Sequence, residues 1–219
     1  MWEKQLSNTI QILKLSQKIN ITVKISKGAY YFMKSYQITE YVHHFLENHI
    51  QSGNICIDAT MGNGHDTLKL CELVGNTGKV YAFDIQETAV ANTKKLLEDQ
   101  KVIHIASLIL DSHTHMHNYV MEKEVDCIVF NFGYLPSGDH SLATKANTSI
   151  EAITQGLSLL RKGGLMSLCI YSGGDSGFDE RDALLAFLKE LEPKNYLVIL
   201  SSYYNRPNNP PIPVMIIKK

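Results

Sequence analysis

Residues 54–67, NICIDATMGNGHDT, decide the fold of this chain. A short apolar run over 55–58 ends in an acid, two glycines follow at Gly62 and Gly64, and a helix-compatible run begins near His65. A buried parallel strand, a glycine turn and a helix N-terminus are typically encoded in this way. Glycine lets the backbone approach a ligand closely, and the first N–H groups of the helix can bind polar ligand atoms. Alone, the pattern also fits a tight turn without a ligand.

A second apolar run supports the ligand-binding interpretation. Residues 79–85, KVYAFDI, carry Asp84 near their end, twenty positions after Gly64. An acid at the tip of the second strand can accept hydrogen bonds from the ribose hydroxyls of a nucleotide. Asp58 ends the first strand and faces the same crevice, where open α/β sheets bind their ligands. Together the two runs predict a nucleoside-binding unit.

The whole-chain composition is that of an ordinary globular protein. The chain has 219 residues, 44% hydrophobic and 20% charged, with a net charge of −1, so one domain with a full core is expected. We predict a cytoplasmic protein, because there is neither a signal-peptide pattern nor an apolar run of roughly 18 residues. No global basic field attracts nucleic acid, although a local patch stays open. Four scattered cysteines fit small core residues: Cys56, Cys71, Cys127 and Cys169.

From residue 54 onwards, strands and helices alternate. A first helix is predicted at 35–50, and His43 and His44 within it are interpreted as surface or packing residues. After this helix, we predict strands at 55–60, 79–85, 101–107, 125–132 and 164–171. Helices are predicted between them at 66–74, 87–98, near 113–121, 145–160 and 179–191. The pattern indicates a doubly wound α/β fold, with helices on both faces of a mainly parallel sheet.

The end of the chain distinguishes among nucleoside-binding folds. Strands are predicted at 196–204 and 213–218, and only residues 205–212 lie between them. Neighbouring parallel strands need a crossover of a dozen or more residues, so this pair must be antiparallel. A seven-stranded, mainly parallel sheet that ends in an antiparallel hairpin is the Rossmann-like arrangement of class I S-adenosylmethionine (SAM) methyltransferases. Nicotinamide dehydrogenases usually end otherwise, which makes them the weakest candidates.

Residues 131–136, NFGYLP, begin at the carboxyl end of the fourth strand and are candidates for chemistry. The amide oxygen of Asn131 and nearby backbone carbonyls can accept hydrogen bonds from an attacking amine and aim its lone pair. Tyr134 could lay its ring against a planar substrate. A strand end with a glycine turn and a packed tyrosine is the alternative.

The segment 111–117, DSHTHMH, contains three alternate histidines that suggest a metal site at first sight. On a helix His113 and His117 share a face but His115 does not, and no carboxylate or thiol completes a ligand set, so we predict no metal. Ser112 and His113 are better interpreted as part of an adenine-binding loop. His113 could also help to remove a proton.

Four segments carry a family resemblance. DATMGNGHDT, VYAFDIQ and NFGYLPSGD, together with NPP near the C-terminus, resemble the rRNA methylase family, which includes bacterial tRNA 5-aminomethyluridine methyltransferases. The resemblance extends from about residue 35 to the C-terminus. It implies SAM as the cofactor, the tRNA anticodon stem-loop as the partner, and N-methylation of 5-aminomethyluridine at the wobble position to 5-methylaminomethyluridine.

The resemblance also implies residue roles. Asn131 and Tyr134 would be catalytic. The cofactor would be bound by Asp58, Thr60, Gly62, Asn63, Gly64, His65, Asp66, Thr67, Asp84, Ile85, Gln86, Ser112, His113 and Asn131. The substrate would be bound by Gly133, Tyr134, Leu135, Pro136 and Arg206. The spacing from Asn131 to Tyr134 is that of the Asn-Pro-Pro-Tyr motif of amino-group methyltransferases, with both prolines replaced.

Alternatives remain at this point. The same fold could methylate rRNA or a small amine, or it could bind SAM without catalysis; an amine-orienting Asn131 argues against the second. The oligomeric state stays open. We expect residues 33–219 to form the methyltransferase domain. Residues 1–32 are expected to be an N-terminal extension, either a small addition or residues upstream of a natural start at Met33, and we favour the second.

Overall fold

A computed structural model of the protein describes residues 37–121, 124–133, 145–172 and 177–219. These residues belong to one compact unit, Ser35–Lys219. The expectations for residues 1–32 and for Tyr134, Leu135 and Pro136 lie outside the described residues.

Strands and helices alternate through the described chain much as the apolar pattern predicts. The strands are β1 (Ile55–Asp58), β2 (Lys79–Asp84), β3 (Ala106–Leu110), β4 (Val125–Phe132), β5 (Leu160–Ile170), β6 (Tyr196–Leu200) and β7 (Ile212–Lys218). The helices are α1 (Ile38–His49), α2 (His65–Val74), α3 (Glu87–Asp99), α4 (Ala146–Leu159) and α5 (Gly177–Lys189). Short 3₁₀ turns occur at Gly75–Thr77, Ile103–Ile105 and His113–Asn118.

The strands form one seven-stranded sheet in the order β3-β2-β1-β4-β5-β7-β6. Strands β1 to β5 pair in parallel, whereas β7 runs antiparallel to both β5 and β6. The predicted doubly wound sheet with a terminal antiparallel hairpin is confirmed. The strand order reverses between β1 and β4, and ligands of such sheets bind at the carboxyl ends of the strands beside that reversal.

Apolar side chains cover both faces of the sheet, as doubly wound sheets require. One cluster contains the fully buried Phe83, Phe130 and Phe132. The other contains Cys56 and Leu46, the latter from α1. The strand ends around the reversal are therefore anchored from both sides.

Strands β3, β5 and β6 differ most from their predicted bounds. Strand β3 begins at Ala106 instead of 101, because Lys101 has a φ of 60° and the next apolar residues form the turn Ile103–Ile105. Strand β5 begins at Leu160 rather than 164, with an irregular register opposite the start of β4. Strand β6 ends at Leu200 rather than 204, since the residue that would pair next is Pro213, which has no N–H to donate.

Among the helices of the described residues, none has the length and apolar character needed to cross a membrane.

Gly64 begins α2 in a conformation that only glycine adopts easily. Its φ is +82°, and a Cβ built there would lie 2.8 Å from Thr93 Oγ1 and 3.0 Å from Thr93 Cα. The Thr93 hydroxyl also donates a hydrogen bond to the carbonyl of Gly62, at 3.1 Å. Helix α3 therefore holds the glycine turn at van der Waals distance.

We predict that Gly64→Ala lowers the free energy of unfolding more than Gly53→Ala. Both positions have positive φ, which costs roughly 1–2 kcal/mol for alanine, but a Cβ added at Gly53 would lie 3.6 Å from its nearest neighbour, Thr77 Oγ1. The excess loss at Gly64 therefore measures crowding against α3. Urea denaturation of both variants tests this. Adding Thr93→Ala to the Gly64→Ala variant should recover part of the free energy of unfolding that Gly64→Ala loses. Equal losses in the two glycine variants would contradict the prediction.

Candidate active site

A cavity of about 880 Å³ lies at the carboxyl edge of the sheet, where β1, β2, β4 and β5 end. Helix α1 contributes Thr39 and Val42 to its wall, and the segment before β7 contributes Asn208, Asn209 and Pro211. The remaining walls come from the loops that follow the strands. This is the edge at which the reversed strand order predicts a ligand.

Most of the residues predicted to bind a cofactor line this cavity. They are Thr60, Gly62, Asn63, His65, Asp66, Asp84, Ile85, Gln86, Ser112, His113 and Asn131. Gly133, predicted to bind the substrate, lines it as well. Asp58, Gly64 and Thr67 do not appear in its lining. Arg206 lies in an adjoining groove rather than in the cavity.

Asp58 lies fully buried beneath the glycine turn. Its carboxylate accepts hydrogen bonds from Thr67 Oγ1 at 2.6 Å and from the Thr60 N–H at 3.2 Å. Burial, reinforced by the nearby Asp66 charge, raises the pKa of Asp58 to about 7. Asp58 thus joins the end of β1 to the start of α2, a supporting position under the turn.

We predict that Asp58→Asn becomes more stable relative to the wild type as the pH rises from about 4 to 7. The pKa of Asp58 is raised from 3.8 in the unfolded chain, so the folded state binds the proton more tightly and loses stability as the pH increases through this window. The slope is at most ~1.4 kcal/mol per pH unit for one proton. An asparagine has no proton to lose.

Denaturation of both proteins from pH 4 to 8 measures this difference. Other titrating groups are common to the two proteins and largely cancel. A stability difference that does not change with pH, or that falls, would contradict the buried state of this carboxyl.

Asp84 connects two loops at the rim of the cavity. Its Oδ2 accepts a hydrogen bond from the Gly62 N–H and its Oδ1 accepts one from the Gln86 N–H, both at 3.0 Å. A carboxylate oxygen can accept more than one hydrogen bond, so both oxygens can still bind a ligand hydroxyl. Ile85 follows with half of its side chain exposed, at 52%.

A hydrogen-bonded chain joins α1, α2 and β4 at the cavity wall. His43 Nε2 donates to Asp66 Oδ1 at 2.6 Å, and Asn131 Nδ2 donates to Asp66 Oδ2 at 2.8 Å. Burial raises the pKa of Asp66, but the two hydrogen bonds, together with the nearby His43 and His65, outweigh burial and hold that pKa below its usual range. The prediction that His43 serves only as a surface or packing residue is wrong, because its ring binds a cavity carboxylate.

The loop after β3 closes another side of the cavity. His113 Nδ1 lies 3.3 Å from the carbonyl oxygen of Ala59, and burial lowers the pKa of its imidazole. His115 bonds instead to Asp111 at 2.8 Å, and His117 bonds to residues of α4. The three histidines therefore face different partners. No cluster of three or more metal-ligating side chains occurs in the part of the chain that the structure describes.

Cys169 and Tyr171, at the end of β5, line the cavity although sequence reasoning did not select them. Burial raises the pKa of the Cys169 thiol to about 12, so the thiol stays protonated. Burial also raises the pKa of the Tyr171 phenol. Gly133, at φ +153°, lies so close that an added Cβ would approach Tyr171 Cβ to 3.1 Å. The strand pattern alone carried no signal that these side chains face a ligand site.

The sheet order, the antiparallel end and the cavity beside the strand reversal define the class I methyltransferase fold. The family model described as "Putative rRNA methylase" matches residues 80–217. The chain belongs to this rRNA methylase family, and it is a SAM-dependent methyltransferase.

Solved structures of similar sequence agree with this membership. A protein of Clostridium thermocellum described as a "putative rRNA-methylase" is 41% identical and superposes with a TM-score of 0.82, over 84% of this chain and 99% of that chain. A methyltransferase of Streptococcus mutans, solved in complex with SAH, is 41% identical with a TM-score of 0.75, over 83% of this chain and 97% of that one.

A curated relative carries a more specific name. The chloroplastic tRNA (mnm(5)s(2)U34)-methyltransferase of Arabidopsis thaliana is 36% identical over 181 residues. The alignment covers 78% of this chain and 66% of the plant protein, just under two thirds of the latter's length.

Proposed function

We propose that the protein transfers the methyl group of SAM to the amine of 5-aminomethyluridine at the tRNA wobble position, giving 5-methylaminomethyluridine. The observation that carries this proposal is the position of Asn131, which lines the cavity at the end of β4 beside the glycine turn. The name of the Arabidopsis relative, which specifies a modified uridine at position 34 of tRNA, supports the choice of substrate.

The residues of the cavity fit SAM. The cavity of about 880 Å³ is within the range of small-molecule sites. Asp84 supplies acceptors for a ribose diol, and the half-exposed Ile85 beside it offers an apolar surface for a base. The start of α2 offers backbone N–H groups for a carboxylate. Ser112 and His113 lie on the adenine side in this assignment.

SAM supplies an electrophilic methyl group on a sulfonium, and the protein's task is alignment. Holding the reactants close and in line can lower the activation free energy by up to ~7–11 kcal/mol relative to the reaction in solution. Cys169, the one thiol among the described lining residues, stays protonated at its pKa of about 12 and is a poor nucleophile. Asn131 neither gives nor takes a proton, but its amide oxygen can hold a neutral amine by one N–H while the lone pair attacks.

A second groove supports an RNA partner. About 350 Å³ in volume, it adjoins the cavity and shares Asn208, Asn209 and Pro211 with it. Arg181 and Arg206 lie in this groove, together with aromatic side chains that include the fully exposed Tyr204. Guanidinium groups bind phosphates, and exposed rings stack on unpaired bases. A small patch of this kind fits a protein whose net charge is only −1 and whose substrate is a single-stranded loop.

Mass spectrometry of nucleosides tests the proposal directly. Purified protein and SAM are incubated with tRNA that carries 5-aminomethyluridine, and the wobble nucleoside should gain one methyl group. In single-turnover reactions at saturating SAM, Asn131→Ala should be slower by roughly ten- to a hundredfold, because one orienting hydrogen bond is worth ~1–3 kcal/mol.

Two parallel reactions serve as controls. rRNA from cells that lack the protein is the first, because the family description names rRNA. A free 5-aminomethyluridine nucleoside is the second. Methylation of rRNA but not of tRNA would replace the proposed substrate, and SAM binding without transfer to any acceptor would refute catalysis. Equal rates for wild type and Asn131→Ala would remove the amide from the mechanism.

We also predict that Arg206→Ala raises KM for tRNA while the single-turnover rate at saturating tRNA stays unchanged. An exposed phosphate contact is worth up to about 1 kcal/mol, or roughly fivefold. The slope of log affinity against log salt should become shallower by roughly 0.7. Lys162→Ala is the matched control, because Lys162 is an exposed cation that lies in neither the cavity nor the groove. An equal change in both variants would refute a local role for the groove.

A further inference from the structure

Asn131 is held at two points, one on its backbone and one on its side-chain amide. Its backbone N–H donates to Thr60 Oγ1 at 2.7 Å, and its side-chain Nδ2 donates to Asp66 Oδ2 at 2.8 Å. The other oxygen of Asp66 accepts a hydrogen bond from His43 at 2.6 Å. Four residues from the β1 loop, β4, α2 and α1 therefore meet at one wall of the cavity.

These contacts determine which end of the amide is available to a ligand. A carboxylate only accepts hydrogen bonds, so the end of Asn131 that faces Asp66 must be its NH₂ group. A flipped amide would place its oxygen against the negative carboxylate. The oxygen Oδ1 makes no hydrogen bond to any described residue, while the side chain lines the cavity. The free end is an acceptor, and it fits a ligand that donates.

We propose that Asp66 is a positioning residue that fixes the Asn131 amide with its oxygen available to the substrate, and that His43 in turn holds Asp66. This inference rests on the proposed function. It explains why the site accepts a hydrogen-bond donor such as an amine: the Asp66–His43 pair keeps the Asn131 oxygen available. Without Asp66 the amide can turn over and present NH₂, which repels the N–H of an acceptor amine.

Asp66 is well placed for this role. It lies in the first turn of α2, where the helix dipole favours a negative charge. Its side chain is only 15% exposed and that of His43 is 20% exposed, so both hydrogen bonds are largely shielded from water. His43 extends from α1, whose Tyr41 hydroxyl bonds to Ser201 Oγ at 2.8 Å and ties the helix to the segment after β6.

A double-mutant cycle tests whether Asp66 acts through Asn131. Single-turnover methylation of 5-aminomethyluridine tRNA is measured at saturating SAM for wild type, Asp66→Ala, Asn131→Ala and the double variant. Asp66→Ala should slow the wild type by roughly tenfold or more and should slow Asn131→Ala by less than about twofold. Equal factors in the two backgrounds would overturn the proposal, since Asp66 would then act independently, for example on the cofactor.

Two further variants should reduce the methylation rate by smaller factors than Asp66→Ala. Asp66→Asn keeps one oxygen that can accept the Asn131 hydrogen bond, so it should retain more activity than Asp66→Ala. His43→Ala should lower the rate with little change in KM for tRNA. His44→Ala is its matched control, because His44 lies on the same helix and, among the described residues, its ring has polar contacts only within that helix, with Asn48 and Glu47. Equal losses in the two histidine variants would overturn the role of His43.

A measurement without turnover separates this inference from the proposed function. In ¹⁵N NMR spectra of the free protein, the side-chain amide protons of Asn131 should exchange slowly in the wild type and rapidly in Asp66→Ala. Unchanged exchange in the variant would overturn the bridge. If the exchange behaves as expected but wild-type protein leaves 5-aminomethyluridine tRNA unmethylated, the bridge stands and the proposed substrate fails.

Discussion

The candidate site depends on the hydrogen bonds that the buried carboxylate of Asp58 accepts. This carboxylate accepts hydrogen bonds from Thr67 in α2 and from the backbone of Thr60, and the hydroxyl of Thr60 accepts one from the backbone of Asn131. One buried group thus sets the separation of β1, α2 and β4 at the point where the strand order reverses. Burying a carboxyl is costly, and the raised pKa of Asp58 reflects that cost. In return, these hydrogen bonds make the glycine turn rigid.

The carboxylates around the cavity form hydrogen bonds within the protein in the absence of a ligand. Asp84 bridges the glycine turn and the following loop, and Asp66 bridges α1 and β4. Because these carboxylates are held by N–H donors, they keep fixed positions before any ligand binds. A site of this kind suits methyl transfer from a sulfonium, in which alignment contributes more than acid or base strength. The protonated thiol of Cys169 is consistent with such chemistry.

Much of the fold could be predicted because apolar periodicity is local. The alternation of strands and helices appears in windows of a few residues, and the predicted eight-residue connection between the last two strands excludes a parallel crossover by length alone. The errors fell where tertiary contacts override the local pattern. The apolar residues before β3 pack as a turn rather than as a strand. Strand β6 stops opposite Pro213, and the missing N–H of this proline matters only when the two strands are paired.

By itself, the sequence determined the glycine turn, the acid at the tip of β2, the asparagine at the end of β4 and the antiparallel end, because each is a short pattern with one dominant structural solution. Only the tertiary structure decided that His43 reaches Asp66 and Asn131, that Asp58 lies beneath the cavity, and that Cys169 and Tyr171 face it. These contacts join residues far apart in the chain, from 23 positions between His43 and Asp66 to 65 between Asp66 and Asn131. Periodicity carries no information on such pairs; they meet because packing on the two faces of the sheet brings separate elements to one edge.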